Sequence, residues 1–214
     1  SLDPVTGNFR HSVNVYTRES FFFLSQEGNS ARTVEKLPEF TGQVTHTVTE
    51  FNDYLRHEAE LVNLIHSGRQ WFGESFIRGA SRSFSLSCPN PVQGRNAVLT
   101  INAAGRSSDV SYLDVTANGS KQSSLTFNPV NTDDATALYA SELKTTYQVP
   151  VQSNRINIDL SYAALNNLSY AWLDYISVNW RRQLRMEGDE LHFRDAENTG
   201  SQKVARFQIE GATS

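Results

Sequence analysis

The chain has 214 residues, of which 38% are hydrophobic and 20% charged, with a formal net charge of −4. This composition is that of a globular domain, and the lack of a basic stripe argues against nucleic acid as a partner. No apolar run reaches the length of about 18 residues that a membrane-spanning helix needs, so no membrane span is predicted.

Two strands are predicted near the N-terminus, Phe9–Tyr16 and Ser20–Ser25, joined by a charged turn into a hairpin arm. Within this arm, Phe21–Leu24 is apolar on both faces and needs a partner strand or a preceding domain. Because the chain starts at Ser1 without a methionine, we expect that a targeting segment has been removed. A polar loop is predicted over Gln26–Pro38.

A short helix is predicted over Thr49–Ile65, where apolar residues recur at helical spacing, with Gly68 as its stop. A strand over Thr41–Thr49 is expected to precede it. Glu58 lies on the apolar stripe of this helix. It is either a hydrogen-bonded carboxylate at the buried face or a partner for Arg69.

Beyond residue 80, short strands recur at intervals of about ten residues with polar turns between them, which is typical of a β-sandwich. Asn118-Gly119 predicts a tight hairpin turn. Tyr170–Trp180 is apolar on both faces and is therefore expected to be a central strand. The other predicted strands are Ser83–Cys88, Ala97–Ala103, Tyr112–Thr116, Ser123–Phe127, Thr136–Ala140, Thr145–Val151, Ile156–Leu160, Glu190–Arg194 and Val204–Ile209.

These elements predict a mainly β fold with a sizeable core. We expect a jelly-roll-like β-sandwich with one short helix over residues 41–214, preceded by an N-terminal hairpin arm and loop over residues 1–40. The two stacked sheets would bury Phe84, Leu86, Leu99, Ile101, Ile156, Ile158, Trp172 and Ile176.

The stretch Ser67–Phe76 links the predicted helix to the strands and is rich in glycine and aromatic residues. One interpretation is a rigid structural corner, since glycines and aromatic residues at strand ends commonly serve packing. The other is a recognition site. Arg69 and Glu74 would pair with each other or contact a polar group, and Trp71, Phe72 and Phe76 would supply apolar surface.

No catalytic centre, metal site or cofactor site is predicted. The single cysteine, Cys88, alternates with Phe84 and Leu86 and is expected to be a buried, inert thiol. The five histidines show no metal-binding spacing. Glu74 and Asp174 are the best candidates for acid–base chemistry, although a buried, hydrogen-bonded carboxylate is the simpler interpretation of Asp174.

Aromatic side chains leave open a carbohydrate-binding module, because sugars stack on exposed rings. Trp172 and Trp180 share the apolar face of a central strand and are expected in the core. Tyr139, Tyr147 and Tyr162 lie in more polar surroundings and are the candidates for a surface site.

A phrase of fixed spacing supports a family resemblance through most of the chain. It reads His57-Glu58, Asn63, Ser67-Gly68-Arg69, Trp71-Phe72-Gly73-Glu74 and Phe76, with weaker support from Phe9–Tyr16, Trp172–Ile176, Asn179, Leu191–Asp195 and Phe207–Ile209. With these residues the sequence resembles the N-terminal, pre-catalytic region of the PorU family. These proteins are the gingipain-like cysteine peptidases (sortases) of the type IX secretion system in Bacteroidetes.

The resemblance implies a noncatalytic domain that supports an adjacent peptidase domain or presents surfaces to cargo and partners. The catalytic Cys and His of the family belong to that following domain, so the parent protein would be a cysteine endopeptidase. It would cleave C-terminal sorting signals from secreted cargo and link the cargo to surface lipopolysaccharide. The resemblance also implies export to the cell surface and an outer-membrane β-barrel partner. A carbohydrate-binding module remains the alternative.

Overall fold

The computed structural model describes residue 3 and residues 5–10, 42–68, 70–195, 197–198 and 204–212. Within these ranges the chain forms twelve β-strands and no helix. The predicted hairpin arm lies almost entirely outside them. The strands are β1 (His46–Val48), β2 (Glu50–Glu58), β3 (Ser75–Ile77), β4 (Ser81–Ser87), β5 (Asn96–Arg106), β6 (Ser111–Ala117), β7 (Ser120–Lys121), β8 (Leu125–Phe127), β9 (Ser141–Pro150), β10 (Arg155–Ala163), β11 (Tyr170–Gln183) and β12 (Ala205–Phe207).

Two antiparallel sheets form the sandwich, as the spacing of the predicted strands indicates. One sheet has the order β4-β10-β6-β7, with β8 also paired to β6. The other has the order β2-β11-β5-β9, with β3 also paired to β11. The inward faces bury a common core that includes Phe76, Leu99, Ile101, Leu113, Leu125, Phe127, Ile156, Ile158, Leu160, Leu173, Ile176 and Val178.

The Asn118-Gly119 turn joins β6 to β7, as predicted. Both residues have positive φ, 49° at Asn118 and 77° at Gly119, which matches the twist of a tight hairpin. The central position of β11 is also confirmed, because it pairs with β5 on one edge and with β2 and β3 on the other.

The predicted helix over Thr49–Ile65 is wrong, since residues 50–58 form the nine-residue strand β2. Phe51 and Leu55 pack into hydrophobic clusters, a placement that helical and extended backbones both allow. Leu61 and Ile65, which would have completed the helical stripe, are exposed instead. The ladder that β2 forms with the central strand β11 overrides the local pattern.

The edge strand beside β11 is interrupted. β2 ends at Glu58, opposite Tyr175, and β3 begins at Ser75, opposite Trp172, so both lie along the same edge of β11. Residues 59–74 are therefore looped out between two halves of one edge strand. A short pairing between Val62 and Phe72 closes this loop upon itself.

A β-bulge in β11 decides which side chains reach its outer face. The register shifts between Leu173 and Tyr175, so Leu173 and Ile176 both reach the core although an odd number of positions separates them. Trp172 belongs to a different cluster, with Phe72 and Ala104.

A second, smaller cluster lies beneath the parallel pair of β1 and β12. Its buried members are Val48, Phe51 and Leu184.

Two further strand predictions are wrong. Within Glu190–Arg194 the structure shows only a single bridge, at Arg194, and Thr136–Ala140 lies in a turn-rich loop. Across the described residues, no helix has the length and hydropathy that a membrane span requires.

Candidate functional site

The loop over residues 59–74 is built by backbone pairing and by one buried amide. The backbone N–H groups of Leu61 and Val62 donate to Phe72 O at 2.8 and 2.9 Å, and Phe72 N donates back to Val62 O at 2.8 Å. Asn63 accepts from Ser67 N at 3.1 Å and donates to Gly68 O at 3.3 Å. The asparagine thus satisfies the polar groups of the turn at the tip of this loop.

Close backbone contact fixes the base of the same loop. Gly73 N donates to Leu173 O at 2.7 Å. A Cβ atom at Gly73 would lie 2.8 Å from Ala59 O, closer than real Cβ contacts, so a side chain does not fit. Phe72 is buried against Trp172 and Ala104 on the outer face of the sheet. The glycine and the aromatic residue of the sequence phrase therefore hold the loop against the sandwich.

Two side-chain pairs flank the point where the edge strand is interrupted. His57 Nε2 and Glu74 Oε1 lie 2.9 Å apart. Arg56 donates two hydrogen bonds to Glu58, at 2.7 and 2.5 Å, and its guanidinium lies 3.7 Å from the ring centre of Tyr175. Glu58 is therefore a hydrogen-bonded, half-buried carboxylate, as one expectation had it, while its other expected partner, Arg69, lies outside the described residues.

An open cleft of about 1310 Å³ lies between the 59–74 loop and the loop that precedes β9. Phe72 and Ala104 are among its lining residues. Its rim carries exposed apolar side chains, with Ile65 60% and Leu138 69% accessible to solvent. An exposed apolar rim around a large cleft is typical of a binding surface.

A row of aromatic rings extends from the cleft along the outer face. Trp172 stacks on Tyr170 with ring centres 5.9 Å apart and lies 6.4 Å from the ring centre of Tyr139. The Arg106 guanidinium lies 4.3 Å from the ring centre of Tyr139 and donates to the carbonyls of Tyr139 and Thr132 at 2.6 and 3.2 Å. These contacts fix the wall of the cleft that precedes β9.

Carboxylates gather where the cleft meets the sheet. Asn102 Nδ2 donates to Glu142 Oε1 at 2.9 Å and to Asp174 Oδ2 at 2.7 Å. Burial raises the pKa of Asp174 to about 6, the hydrogen bond from Asn102 opposes this, and the carboxylates of Glu58 and Glu142 add to it while Arg56 lowers it. Asp174 is therefore a half-buried, hydrogen-bonded carboxylate, close to the simpler interpretation.

Two of the sequence-predicted site residues are open to solvent at this end of the molecule. Tyr139 lines the cleft and is 39% exposed, and Trp71 is 38% exposed. Glu74 is instead engaged with His57, and Arg69 lies outside the described residues.

The other two tyrosine candidates are buried. Tyr147 is 6% exposed and donates from its hydroxyl to Ser123 O at 2.8 Å, and Tyr162 is fully buried. The prediction of a surface site at Tyr147 and Tyr162 is therefore wrong. Side chains alternate along a strand, so the polar neighbours of each tyrosine point to solvent while the tyrosine ring points between the sheets. Trp180 is buried in the core, as expected. Trp172 is also buried, but in the cluster with Phe72 and Ala104, so the expectation that the two rings share one core face is wrong: the bulge in β11 between them changes the face.

Sequence reasoning missed Asn102, Glu142 and Leu138 as site residues. Asn102 carried a signal, because it is the polar residue facing away from Leu99 and Ile101 on an alternating strand. Glu142 and Leu138 carried none, since Glu142 joins the site through the pairing of β9 with β5 and Leu138 through folding of the loop before β9.

Cysteine chemistry is excluded at Cys88. Its side chain is completely buried, and burial raises the pKa of the thiol to about 12. The thiolate that a peptidase nucleophile needs is therefore not formed near neutral pH. In the part of the chain that the structure describes, no group of three or more His, Cys, Asp or Glu residues is arranged to hold a metal ion.

No protein-family model matches the chain, and no curated protein matches its sequence. Among solved structures, the chain is similar to dimeric latent PorU from Porphyromonas gingivalis, with a TM-score of 0.64 and 20% sequence identity. The match covers 80% of this chain but 16% of that protein, so the chain spans a small part of its length. At this identity the match shows a shared fold.

Carbohydrate-binding modules also match, with lower scores. The CBM36-1 domain of a multidomain xylanase from the hindgut metagenome of Trinervitermes trinervoides has a TM-score of 0.38 and 13% identity, over 59% of this chain and 95% of that one. A family 35 module from an environmental isolate has a TM-score of 0.40 and 17% identity, over 61% and 92%. Scores at this level support no functional inference.

Proposed function

We propose that this chain is a noncatalytic β-sandwich domain of a PorU-like secretion peptidase, and that its cleft presents a recognition surface to cargo or to a partner. The observation that carries the proposal is the backbone match to PorU, which extends over 80% of this chain. The sequence phrase from His57 to Phe76 supports it, because its residues form the loop that walls the cleft.

The chemistry of Cys88 supports a noncatalytic role. It is the single cysteine of the sequence, and its thiol is buried and stays protonated. In a PorU-like parent the nucleophile would then come from the adjacent peptidase domain. The proposal extends to an exported protein at the cell surface, with secreted cargo and an outer-membrane barrel protein as partners.

The source gene tests the proposal directly. We expect the reading frame to continue beyond the codon for Ser214 into a domain with catalytic Cys and His residues. A stop codon directly after Ser214 would overturn the assignment to a peptidase parent.

The thiol gives an independent test on the protein itself. We expect Cys88 to react with a chromogenic disulfide reagent only as the chain unfolds in urea, and the folded chain to cleave no reporter peptide. Rapid modification of the folded chain, together with peptide hydrolysis lost in Cys88→Ala, would contradict a noncatalytic role.

A glycan-binding module is the second candidate, favoured by the row of Tyr170, Trp172 and Tyr139 beside the cleft. A glycan array separates the two functions. Saturable glycan binding that is lost in Tyr139→Ala would favour the module, while Tyr112→Ala, an exposed tyrosine on the other sheet, is the matched control. No binding on the array would favour the noncatalytic domain of a secretion peptidase.

A further inference from the structure

We propose that the cleft binds an extended polypeptide segment that combines aliphatic side chains with a lysine or arginine, whose cationic group lies against Glu142. This inference rests on the proposed function and names the chemistry of the partner that the cleft would recognise. It is carried by the apolar rim, by the sign of the charge in the cleft and by one buried amide oxygen that has no hydrogen-bond partner among the described residues.

The apolar rim of the cleft favours a ligand with aliphatic side chains. Ile65 and Leu138 are exposed on loops that bound the cleft, and Leu64 and Phe72 continue the apolar surface inward. Covering such side chains removes apolar area from water, which is favourable at about 25 cal/mol per Å². An extended peptide places alternate side chains on one face and so offers several to this rim.

The charge in the cleft selects a cation. Asp133, Asp134 and Glu142 line it. Asp134 accepts hydrogen bonds from the Thr136 hydroxyl and backbone N–H at 2.7 and 2.8 Å, and these bonds lower the pKa of its carboxyl, so it stays ionised. Among the described lining residues Arg106 is the one arginine or lysine, and its guanidinium is bonded to backbone carbonyls.

The amide of Asn102 marks where the cation would lie. This side chain is 7% exposed, and its Nδ2 group holds the carboxylates of Glu142 and Asp174 together. Its Oδ1 atom is buried and has no hydrogen-bond partner among the described residues. Arg56 already acts on Asp174, so the group left to a ligand in the cleft is the exposed carboxylate of Glu142, beside this buried acceptor. An ammonium or guanidinium, which carries several donors and no acceptor, complements that set.

Peptide binding to the 214-residue chain tests this inference by fluorescence polarisation. The probe is a fluorescein-labelled nine-residue peptide of alternating leucine and serine with one central lysine. Matched probes carry glutamate or norleucine in place of the lysine. We expect the lysine peptide to bind about tenfold more tightly than either matched peptide, because the carboxylates that line the cleft favour a cation. Equal affinity for the lysine and glutamate peptides would overturn the inference.

Variants locate the binding. We expect Glu142→Gln and Leu138→Ser each to weaken binding of the lysine peptide about fivefold or more. Asp189→Asn and Leu165→Ser are the matched controls, since both residues are exposed and neither lines the cleft, and they should leave the affinity unchanged. Circular dichroism of each variant confirms folding. Unchanged affinity in a folded Glu142→Gln variant would place the cation elsewhere and overturn the inference.

The result of the peptide experiments is separable from that of the proposed function, because the reading frame beyond Ser214 reports on the peptidase parent whatever the peptides do.

Discussion

The imidazole of His57 and the carboxylate of Glu74 lie 2.9 Å apart although sixteen residues of looped-out chain separate them in sequence. His57 is near the end of β2, and Glu74 immediately precedes β3. The pair therefore joins the two halves of one interrupted edge strand. This geometry explains why both residues belong to the same sequence phrase: together they close the base of the loop that walls the cleft.

Replacing Glu74 by alanine should destabilise the fold. One carboxylate oxygen of Glu74, Oε2, is buried and has no hydrogen-bond partner among the described residues. The other, Oε1, lies 2.9 Å from His57, and this contact is lost when the carboxylate is removed. We expect Glu74→Ala to lower the free energy of unfolding in urea by about 1–2 kcal/mol. Glu190→Ala, at an exposed glutamate, should change it by about 0.5 kcal/mol or less. Equal effects would show that the pair contributes nothing to stability.

A side chain at Gly73 should be tolerated poorly. The added Cβ of Gly73→Ala would press on Ala59 O, a backbone atom that moves only with the loop, and we expect a loss of about 1–3 kcal/mol. Gly79→Ala is the comparison, because Gly79 has φ of 77° but open space around it. It should cost about 1 kcal/mol through backbone strain alone. Thermal unfolding of the two variants measures both losses of stability. A smaller loss for Gly73→Ala than for Gly79→Ala would contradict the close approach of Gly73 to Ala59 O.

Two tryptophans should behave differently in the same experiment. Trp172 is buried between Phe72, Ala104 and the stacked tyrosines, and we expect Trp172→Ala to cost about 3–5 kcal/mol. Trp71 lies on the exposed side of the loop, so Trp71→Ala should lower the free energy of unfolding by about 1 kcal/mol or less. A loss below about 1 kcal/mol at Trp172 would mean that its ring is accessible, which would strengthen the glycan-binding candidate.

Asp174 should make stability depend on pH in a defined window. Its pKa in the folded chain is about 6, above the ordinary value of 3.8, so folding favours the protonated form. Stability should therefore fall as the pH rises from about 4 to about 6 and stay constant above that. Asp174→Asn should remove this component and gain about 1 kcal/mol near neutral pH, a value that allows for solvent screening at a partly exposed site.

Urea denaturation across this pH range checks the effect of Asp174. Glu58, Glu142 and Arg56 also act on the Asp174 carboxyl, so the comparison is the difference between wild type and variant at each pH. An identical pH dependence in the two proteins would contradict the raised pKa. Asp189→Asn, an exposed aspartate on the chain after β11, serves as the control and should leave the curve unchanged.

The class of fold and most of its strands follow from local sequence. Alternation of apolar and polar residues identifies β4, β5 and β10, and a run that is apolar on both faces identifies β11 as central. Asn118-Gly119 predicts its own turn because few residue pairs adopt positive φ at both positions without cost. The burial of Cys88 follows from its place on an apolar strand face. In each case the information lies within about ten residues of chain.

The candidate site depended on contacts between distant segments. The spacing of Phe51, Leu55 and Leu61 suits a helix as well as a strand, and pairing with β11, more than a hundred residues later in the chain, decides between them. Glu142 and Asp174 are brought together by Asn102, from a third strand.

The sequence by itself therefore determined a β-sandwich with an inert cysteine and a phrase of fixed spacing around Gly73. Only the tertiary structure decided that this phrase forms the wall of a cleft and that carboxylates lie at its inner end. The physical reason is that strand character is a property of neighbouring residues, whereas the register between strands and the path of a looped-out segment are set by which partners the whole chain brings together.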